Sequence, residues 1–370
     1  MAMQKNRYKF LFAGGGTGGH LFPAIAVAEK IRSILPEADI LFVGTKSKIE
    51  GTVVPKLGFK FKSIWIKGFS RKLTVENLIF PLKLIVSLIQ SLLINMKFRP
   101  DVAIGTGGYV AGPAIWGSSV LGAKIILIEQ NSLPGVTTKL LRRYADEIHL
   151  SYEDTKKYFK AEENLYLTGN PVRENLIMKS KTEALEKFGF DTKRKTLLIL
   201  GGSLGASSLN SAIAANMHHL IEFGVQVIWQ TGRAYYDKYK HLASDKVWVS
   251  SFIENMNDAY SACDLVLARS GATSIAEILF LGVPAILVPS PNVAENHQYF
   301  NAKSLADQNA AILLKDIDLN EKFLSEVKSI LLNDSRLSEM SRISKALSKP
   351  EATSVIAKRA ISYAKRELVN

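Results

Sequence analysis

The sequence predicts an α/β protein built as two Rossmann-like, doubly wound domains facing across a cleft. Three observations lead there. The chain has 370 residues, more than a single core usually organises. Short apolar runs alternate with longer amphipathic stretches, the pattern of strands and helices around parallel sheets. The two halves also repeat one plan. "YKFLFAGGGTGGH" corresponds to "KTLLILGGSLGAS", each a strand, a glycine turn and a helix start. "DVAIGTGGYVAGPAI" corresponds to "DLVLARSGATSIAEI", and "AKIILIEQN" to "PAILVPSPN". Ligands of doubly wound sheets bind beyond the carboxyl ends of the strands, so two facing domains enclose a cleft.

The first-half strands are expected at Lys9–Ala13, Ile40–Val43, Val102–Gly105 and Lys124–Glu129. The second-half strands are expected at Thr196–Leu200, Gln226–Thr231, Val247–Ser250, Leu265–Ala268 and Ala285–Val288. The seam falls near "TGNPVRENL", residues 168–176, where Gly-Asn-Pro breaks local structure.

Composition narrows the function classes. The chain is 47% apolar and 22% charged, ordinary for a globular protein. Its single cysteine, Cys263, excludes an intrachain disulfide and a cysteine metal cluster. Only Phe10–Ala13 are apolar before the first glycines, too short for a signal-peptide core. No 18-residue uncharged apolar run exists, so no membrane span is expected and the chain is placed in the cytoplasm. The net charge of +13 favours an anionic partner: nucleic acid, a membrane surface or a phosphorylated substrate. No RRM or zinc-finger signature accompanies that charge, so no nucleic-acid partner is expected.

Gly14, Gly16 and Gly19 match G-x-G-x-x-G after a strand. A dinucleotide site also wants an acidic residue at the end of the second strand. Asp39 has the spacing but precedes the strand, which ends in Gly44-Thr45. A triphosphate loop needs Lys and Ser/Thr where His20 and Leu21 stand. What remains is a backbone cradle for a bulky anion at a helix N-terminus. His20 stands at its mouth, where an imidazole can act as a base. One glycine would suffice for tight strand–helix packing, so the cluster favours function.

The second cradle is Gly201–Ala206, with a hydroxyl at Ser203. The third opens the helix carrying Thr273 and Glu277, four apart and on one face. A carboxylate there suits two ribose hydroxyls, although a lone glutamate is usually just solvated. "EQNSLPG" puts Glu129, Gln130 and Asn131 at a strand's carboxyl end, and "ENHQYFNA" adds Asn296, His297, Gln298 and Asn301. Amides suit sugar hydroxyls, which need both donors and acceptors. Asp316-Ile-Asp318 could be a metal-holding D-x-D, but Asp318 is better read as a helix N-cap. The six histidines show no ligand spacing, and no metal is expected.

Residues 60–99 hold Lys60, Lys62, Lys67, Arg71, Lys72, Lys83, Lys97 and Arg99 against Glu76, a net +7 (8 minus 1). Within them "ENLIFPLKLIVSLIQSLLINMK" reads as a helix with Pro81 near its start. Lys83, Ser87, Gln90, Ser91 and Asn95 form a polar stripe. Leu78, Leu82, Ile85, Ile89, Leu92 and Met96 form the stripe expected to face the core. Ile79, Leu84, Val86, Leu88 and Leu93 are further apolar surface. Such a helix is either buried deeply or docked on an anionic bilayer, and the flanking charge favours the bilayer.

The ordered motifs "GGGTGGHLFPA", "GTGGYVAGP", "EQN", "TGNPVR", "GGSLGA", "ARSGATSIAE" and "HQYFNA" closely resemble those of the MurG proteins. These are UDP-N-acetylglucosamine transferases that make lipid II of peptidoglycan. The resemblance runs from residue 9 to about residue 303. It implies a GT-B fold with an acceptor and membrane-associating domain, residues 1–170 plus a C-terminal helix at about 352–370. Residues 171–351 would form the domain that binds the donor UDP-GlcNAc. Ile253 would pair its backbone with uracil, Glu277 would hold the ribose, and Ser203 with Arg173 would hold phosphate. Asn131, Ala272, Thr273 and Gln298 would contact the GlcNAc. Thr17, Gly18 and Gly19 would also adjoin the donor. Gly15, Gly16, Thr17, Gly18 and Gly19, with Tyr109 nearby, would hold the acceptor diphosphate.

His20 would be the catalytic base, with Glu129 as its orienting partner or as an alternative base. Thr273 stands where an apolar residue is common in the family. The resemblance implies no tightly bound cofactor, lipid I as acceptor, and division-machinery proteins as partners. It places the chain peripherally on the cytoplasmic face of the bacterial membrane, held to the anionic inner-membrane surface through residues 60–99. Three other readings stay open: another GT-B lipid glycosyltransferase, a non-hydrolysing UDP-GlcNAc epimerase, or a non-catalytic nucleotide-sugar-sensing scaffold.

Overall fold

The first strand, β1 (Lys9–Gly14), is buried along nearly its whole length, so its apolar run shows no alternation. The computed structural model describes residues 7–68, 75–160, 164–202 and 205–367. They form two compact units, Met1–Glu174 with Lys349–Asn370, and Asn175–Ser348. The seam expected at 170/171 therefore falls between Glu174 and Asn175, and the chain returns to the first unit at Lys349.

In the first unit β1 is followed by β2 (Asp39–Gly44), β3 (Lys60–Ser63), β4 (Val102–Gly107), β5 (Lys124–Glu129), β6 (Glu147–Leu150) and β7 (Leu165–Leu167). All described pairings are parallel, in the order β3-β2-β1-β4-β5-β6-β7. The helices are α1 (Gly18–Ile34), α2 (Ile49–Lys56), α3 (Val75–Phe98), α4 (Ala111–Val120) and α5 (Val136–Leu141). On one face of the sheet, Ile25, Val27 and Ile31 of α1 share a core with Ile356, Ala360 and Ile361 from the C-terminal residues. On the other, Ala111, Ala114 and Ile115 of α4 pack against Leu11, Ala103 and Ile125.

The second unit repeats the plan. Its strands are β8 (Thr196–Leu200), β9 (Gln226–Gln230), β10 (Val247–Ser250), β11 (Leu265–Ala268), β12 (Ala285–Leu287) and β13 (Ile312–Leu313). They pair in parallel in the order β10-β9-β8-β11-β12-β13. The helices are α6 (Lys181–Phe188), α7 (Ser207–Glu222), α8 (Tyr236–Tyr239), α9 (Met256–Ala262), α10 (Ala272–Leu281), α11 (His297–Ala306), α12 (Leu319–Leu331) and α13 (Asp334–Leu347). The last helix, α14 (Ala352–Lys365), belongs to the first unit. In each sheet the order runs third, second, first, fourth, the doubly wound reversal that opens a crevice between first and fourth strands. β1 and β4 flank it in one unit, β8 and β11 in the other.

Helix α3 corrects the sequence reading in direction. The polar stripe faces inward: Ser87, Ser91 and Asn95 are fully buried. Asn95 Nδ2 donates to the carbonyls of Ser91 (2.9 Å) and Ala114 (3.2 Å), and Ser118 Oγ of α4 donates to Asn95 Oδ1 (2.6 Å). Most of the stripe expected in the core turns outward: Leu78 is 81% exposed, Leu82, Ile85, Ile89 and Met96 are each more than half exposed, and Leu92 is half-buried, while Leu93, read as further apolar surface, is also more than half exposed. Small polar residues allow close helix–helix approach, and Asn95 and Ser118 satisfy each other across it, which decides the sign of the amphipathicity. Leu78–Phe98 is long and apolar enough to cross a membrane by length and composition. Lys83 and Lys97 interrupt it, and its inner face is hydrogen-bonded to α4. Arg71 and Lys72 of the basic segment lie outside the described residues.

Candidate active site

The glycine loop leaves β1 at the crevice and enters α1. Gly16 has φ +85°, a conformation that favours glycine. A Cβ there would also approach the Tyr109 ring at 3.1 Å. The N–H groups of His20 and Leu21 bond the Thr17 carbonyl, so Gly18 and Gly19 open the helix. Their N–H groups have no intrahelical partner, which suits an anion.

His20 is held by the end of β4. Its Nδ1 lies 2.9 Å from the Thr106 carbonyl oxygen, and the Thr106 hydroxyl donates to the His20 carbonyl at 2.6 Å. A carbonyl only accepts, so Nδ1 carries the proton and Nε2 of the neutral ring carries the lone pair. The buried Gln130 amide donates to the same Thr106 carbonyl (2.8 Å). The expected orienting partner, Glu129, is engaged elsewhere. Its buried carboxylate accepts from the Asn131 N–H (3.1 Å), the Asn131 amide (3.3 Å), the Gly135 N–H (3.0 Å) and the Thr138 hydroxyl (2.6 Å). Glu129 thus folds the loop that carries Asn131, and Thr106 orients His20.

Tyr109 stands beside this loop, and burial raises its pKa while a hydrogen bond with Thr45 opposes the rise. Arg173 also belongs to the first unit. Its charge acts on Glu29 of α1, whose carboxyl burial pushes up and Arg32 and Arg173 pull down. The next residue, Glu174, pairs with Lys30 of α1 at 2.6 Å.

The second unit carries Ser203, Ile253, Ala272, Thr273, Glu277 and Gln298. Ser203 lies outside the described residues, while Gly202 and Gly205 of its loop have φ +82° and +83°. Ile253 is buried, and its N–H donates to Gln230 Oε1 at 2.9 Å. Ala272 and Thr273 form the first turn of α10 behind the N-cap Gly271. The Thr273 hydroxyl oxygen is enclosed without a partner among the described residues. The buried Tyr260 donates its hydroxyl to Glu277 Oε2 (3.1 Å), which aims the carboxylate. Gln298 Oε1 accepts the Ser290 N–H at 2.9 Å.

Arg269 and the D-x-D aspartates have structural partners. Arg269 donates to Asp316 Oδ1 (2.5 Å), to the carbonyls of Val288 and Pro289, and to Ser208 (2.9 Å). The D-x-D therefore supplies a counter-ion for arginine. Asp318 takes the N-cap position of α12 without a side-chain capping bond. Among the described residues no three His, Cys, Asp or Glu side chains gather as a metal site.

Sequence reasoning missed Thr106, Glu50, Gln230 and Tyr260. Each acts across the fold on a residue already singled out; Thr106 sits inside the quoted "GTGGYVAGP" run, while Glu50, Gln230 and Tyr260 fall in no quoted motif.

Residues 10–150 match the glycosyltransferase family 28 N-terminal domain, and residues 196–356 its C-terminal domain. A UDP-N-acetylglucosamine–N-acetylmuramyl-(pentapeptide) pyrophosphoryl-undecaprenol N-acetylglucosamine transferase of Flavobacterium psychrophilum is 43% identical over 350 residues, 94% of this chain and 95% of the relative. The transferase of the same name from Christiangramia forsetii is 41% identical over 354 residues, 95% of this chain and 96% of the relative. The crystal structure of Acinetobacter baumannii MurG aligns with a TM-score of 0.74 at 27% identity, covering 95% of this chain and 98% of that one. A UDP-N-acetylglucosamine 2-epimerase aligns at 0.63 with 14% identity over 98% of each chain, a likeness of fold alone. With two parallel-sheet α/β units of GT-B type and full-length relatives above 40% identity, the chain belongs to glycosyltransferase family 28 and, within it, to the MurG family.

Proposed function

We propose that this chain moves GlcNAc from UDP-GlcNAc to the 4-hydroxyl of MurNAc in lipid I, with inversion, forming lipid II. The observation that carries the chemistry is His20, tied through Nδ1 to the Thr106 carbonyl so that Nε2 holds the lone pair. In the proposed step Nε2 takes the acceptor hydroxyl proton while that oxygen bonds the anomeric carbon. The bond from that carbon to UDP breaks, and the diphosphate leaves with the electron pair. Helix N-termini stabilise the leaving group, so the step calls for no metal. The first unit supplies the base and the acceptor loop, Gly15–Gly19 with Tyr109. The second supplies the donor contacts, with Ile253 for uracil, Glu277 for ribose, and Ser203, Ala272, Thr273 and Gln298 toward phosphate and sugar. Arg173 and Asn131 complete the donor set, and Glu129 shapes the loop that presents Asn131.

The acceptor is a membrane lipid, and the exposed apolar face of α3 lies within a basic segment. That pairing supports a peripheral position on the anionic cytoplasmic membrane surface through residues 60–99.

The test is transfer of labelled GlcNAc from UDP-GlcNAc to a lipid I analogue, with a control lacking acceptor. Acceptor-dependent product with matching UDP release is expected. Turnover without acceptor would indicate an epimerase or hydrolase, and binding without transfer a scaffold or another acceptor.

A further inference from the structure

β2 ends in Gly44-Thr45, yet the fold brings a carboxylate there from the first turn of α2. Glu50 is 1% exposed. Its Oε1 accepts the Thr45 N–H (3.1 Å) and hydroxyl (2.6 Å), and its Oε2 accepts the Gly16 N–H (3.0 Å). The ends of β1 and β2 both clear space for it. A Cβ on Gly15 would come within 2.5 Å of Glu50 Cδ, and one on Gly44 within 2.5 Å of its Cγ. Thr45 continues the chain of contacts to the Tyr109 side chain. The carboxylate is too enclosed to meet a ribose, so it does not restore a dinucleotide site.

A buried carboxylate is costly unless hydrogen bonds and local positive potential offset it. Here the hydrogen bonds come from Thr45 at the end of β2 and from the Gly16 N–H of the glycine loop, whose backbone also faces the carboxylate with the positive end of its dipoles. We propose that Glu50 is a positioning residue for the acceptor diphosphate. It draws the Gly16 N–H inward and fixes the loop's left-handed turn, leaving the Gly18 and Gly19 N–H groups to the anion. Through Thr45 it also fixes Tyr109 beside that loop. The inference rests on the assignment of this loop to the acceptor.

The experiment is steady-state kinetics of Glu50→Gln with each substrate varied in turn, alongside thermal unfolding. Glutamine keeps the size but turns an NH2 donor toward backbone N–H donors. The acceptor KM should rise about tenfold while the UDP-GlcNAc KM stays within about twofold, because only the acceptor loop is disturbed. Thr45→Val, which removes one hydroxyl, should shift the acceptor KM the same way by a few-fold and carries the test if the first variant fails to fold. An unmoved acceptor KM in the folded variants, or both KM values changing in step with Tm, would overturn the proposal. If the wild-type protein itself gives no acceptor-dependent transfer, the functional reading fails first. Wild-type transfer with an unmoved acceptor KM refutes the role of Glu50 alone.

Discussion

His20 draws its usefulness from what it touches. An imidazole free to rotate would spend part of its time with the wrong nitrogen toward an acceptor hydroxyl. The Thr106 carbonyl selects one tautomer, and Gln130 holds that carbonyl in place. His20→Ala should therefore lower kcat about a hundredfold or more with little change in the UDP-GlcNAc KM, the scale of a lost general base. Near-normal turnover in that variant would move the base elsewhere. The position of His20 was legible because it closes a glycine run at a helix mouth. Its orienter was not, because Thr106 lies 86 residues away. Glu129 was legible as a strand-end residue, but the four donors around it are a property of the folded 131–138 loop. Tyr260 and Gln230 act in the same indirect way on Glu277 and Ile253.

At the scale of elements, buried strands were the most readable feature, since runs such as "TLLIL" leave little alternative. The missed strands have physical reasons. β3, "KFKS", is a mostly exposed edge strand with charges at alternate positions, a pattern that also suits a loop. β6, "EIHL", buries a glutamate and a histidine that satisfy each other, so it lacks an apolar signature. Helix α3 shows a deeper limit. Periodicity divides a helix into stripes but does not say which stripe faces in. That choice is made by Asn95 and Ser118 across the α3–α4 contact, and by Gln90, which accepts the Trp65 N–H at 2.7 Å. The outcome is an apolar face open to its surroundings. Burying a whole leucine or isoleucine gives roughly 1.5–3 kcal/mol, so five half-exposed side chains carry several kcal/mol for a bilayer. Replacing Ile85 and Ile89 together by glutamate should abolish co-sedimentation with vesicles containing anionic phospholipid. The variant should keep its Tm, because exposed positions rarely change stability by more than about 0.5 kcal/mol. Undiminished vesicle binding would locate the membrane contact elsewhere.

On the scale of the whole molecule, the chain leaves its first unit, builds a second, and returns. The return is fixed at two places within the first unit. Thr353 exchanges hydrogen bonds with the backbone of Val172 (3.0 and 2.8 Å). Arg359 of α14 binds Glu147 of β6 through two contacts (2.7 and 2.5 Å) and lies over the Tyr166 ring at 4.3 Å. His149 completes the cluster, 2.9 Å from Glu147. Burial alone would raise the Glu147 pKa, but hydrogen bonds from His149 and Arg359 outweigh it and hold the carboxyl at about 2. Burial also holds His149 below its ordinary value of 6.5, against the pull of Glu147, so the folded ring resists protonation more than the unfolded one.

The signs follow from linkage. An unfolded chain protonates His149 as pH falls through 6.5 and Glu147 as it falls through 4.5, while the folded chain resists both. Their stability is therefore complete above about pH 6.5 and declines as pH falls toward the folded values. Arg359→Met should cost about 3–5 kcal/mol at pH 7, because it leaves a buried carboxylate without its counter-ion. It should also flatten the Glu147 share of the acid decline, since the unpaired carboxyl would already hold its proton in the fold at higher pH. Urea unfolding of both proteins from pH 7 to pH 3.5 measures the two effects together. Equal stability at pH 7 would mean that α14 is held by its apolar contacts with α1 and the sheet, and that the ion pair adds nothing to the return.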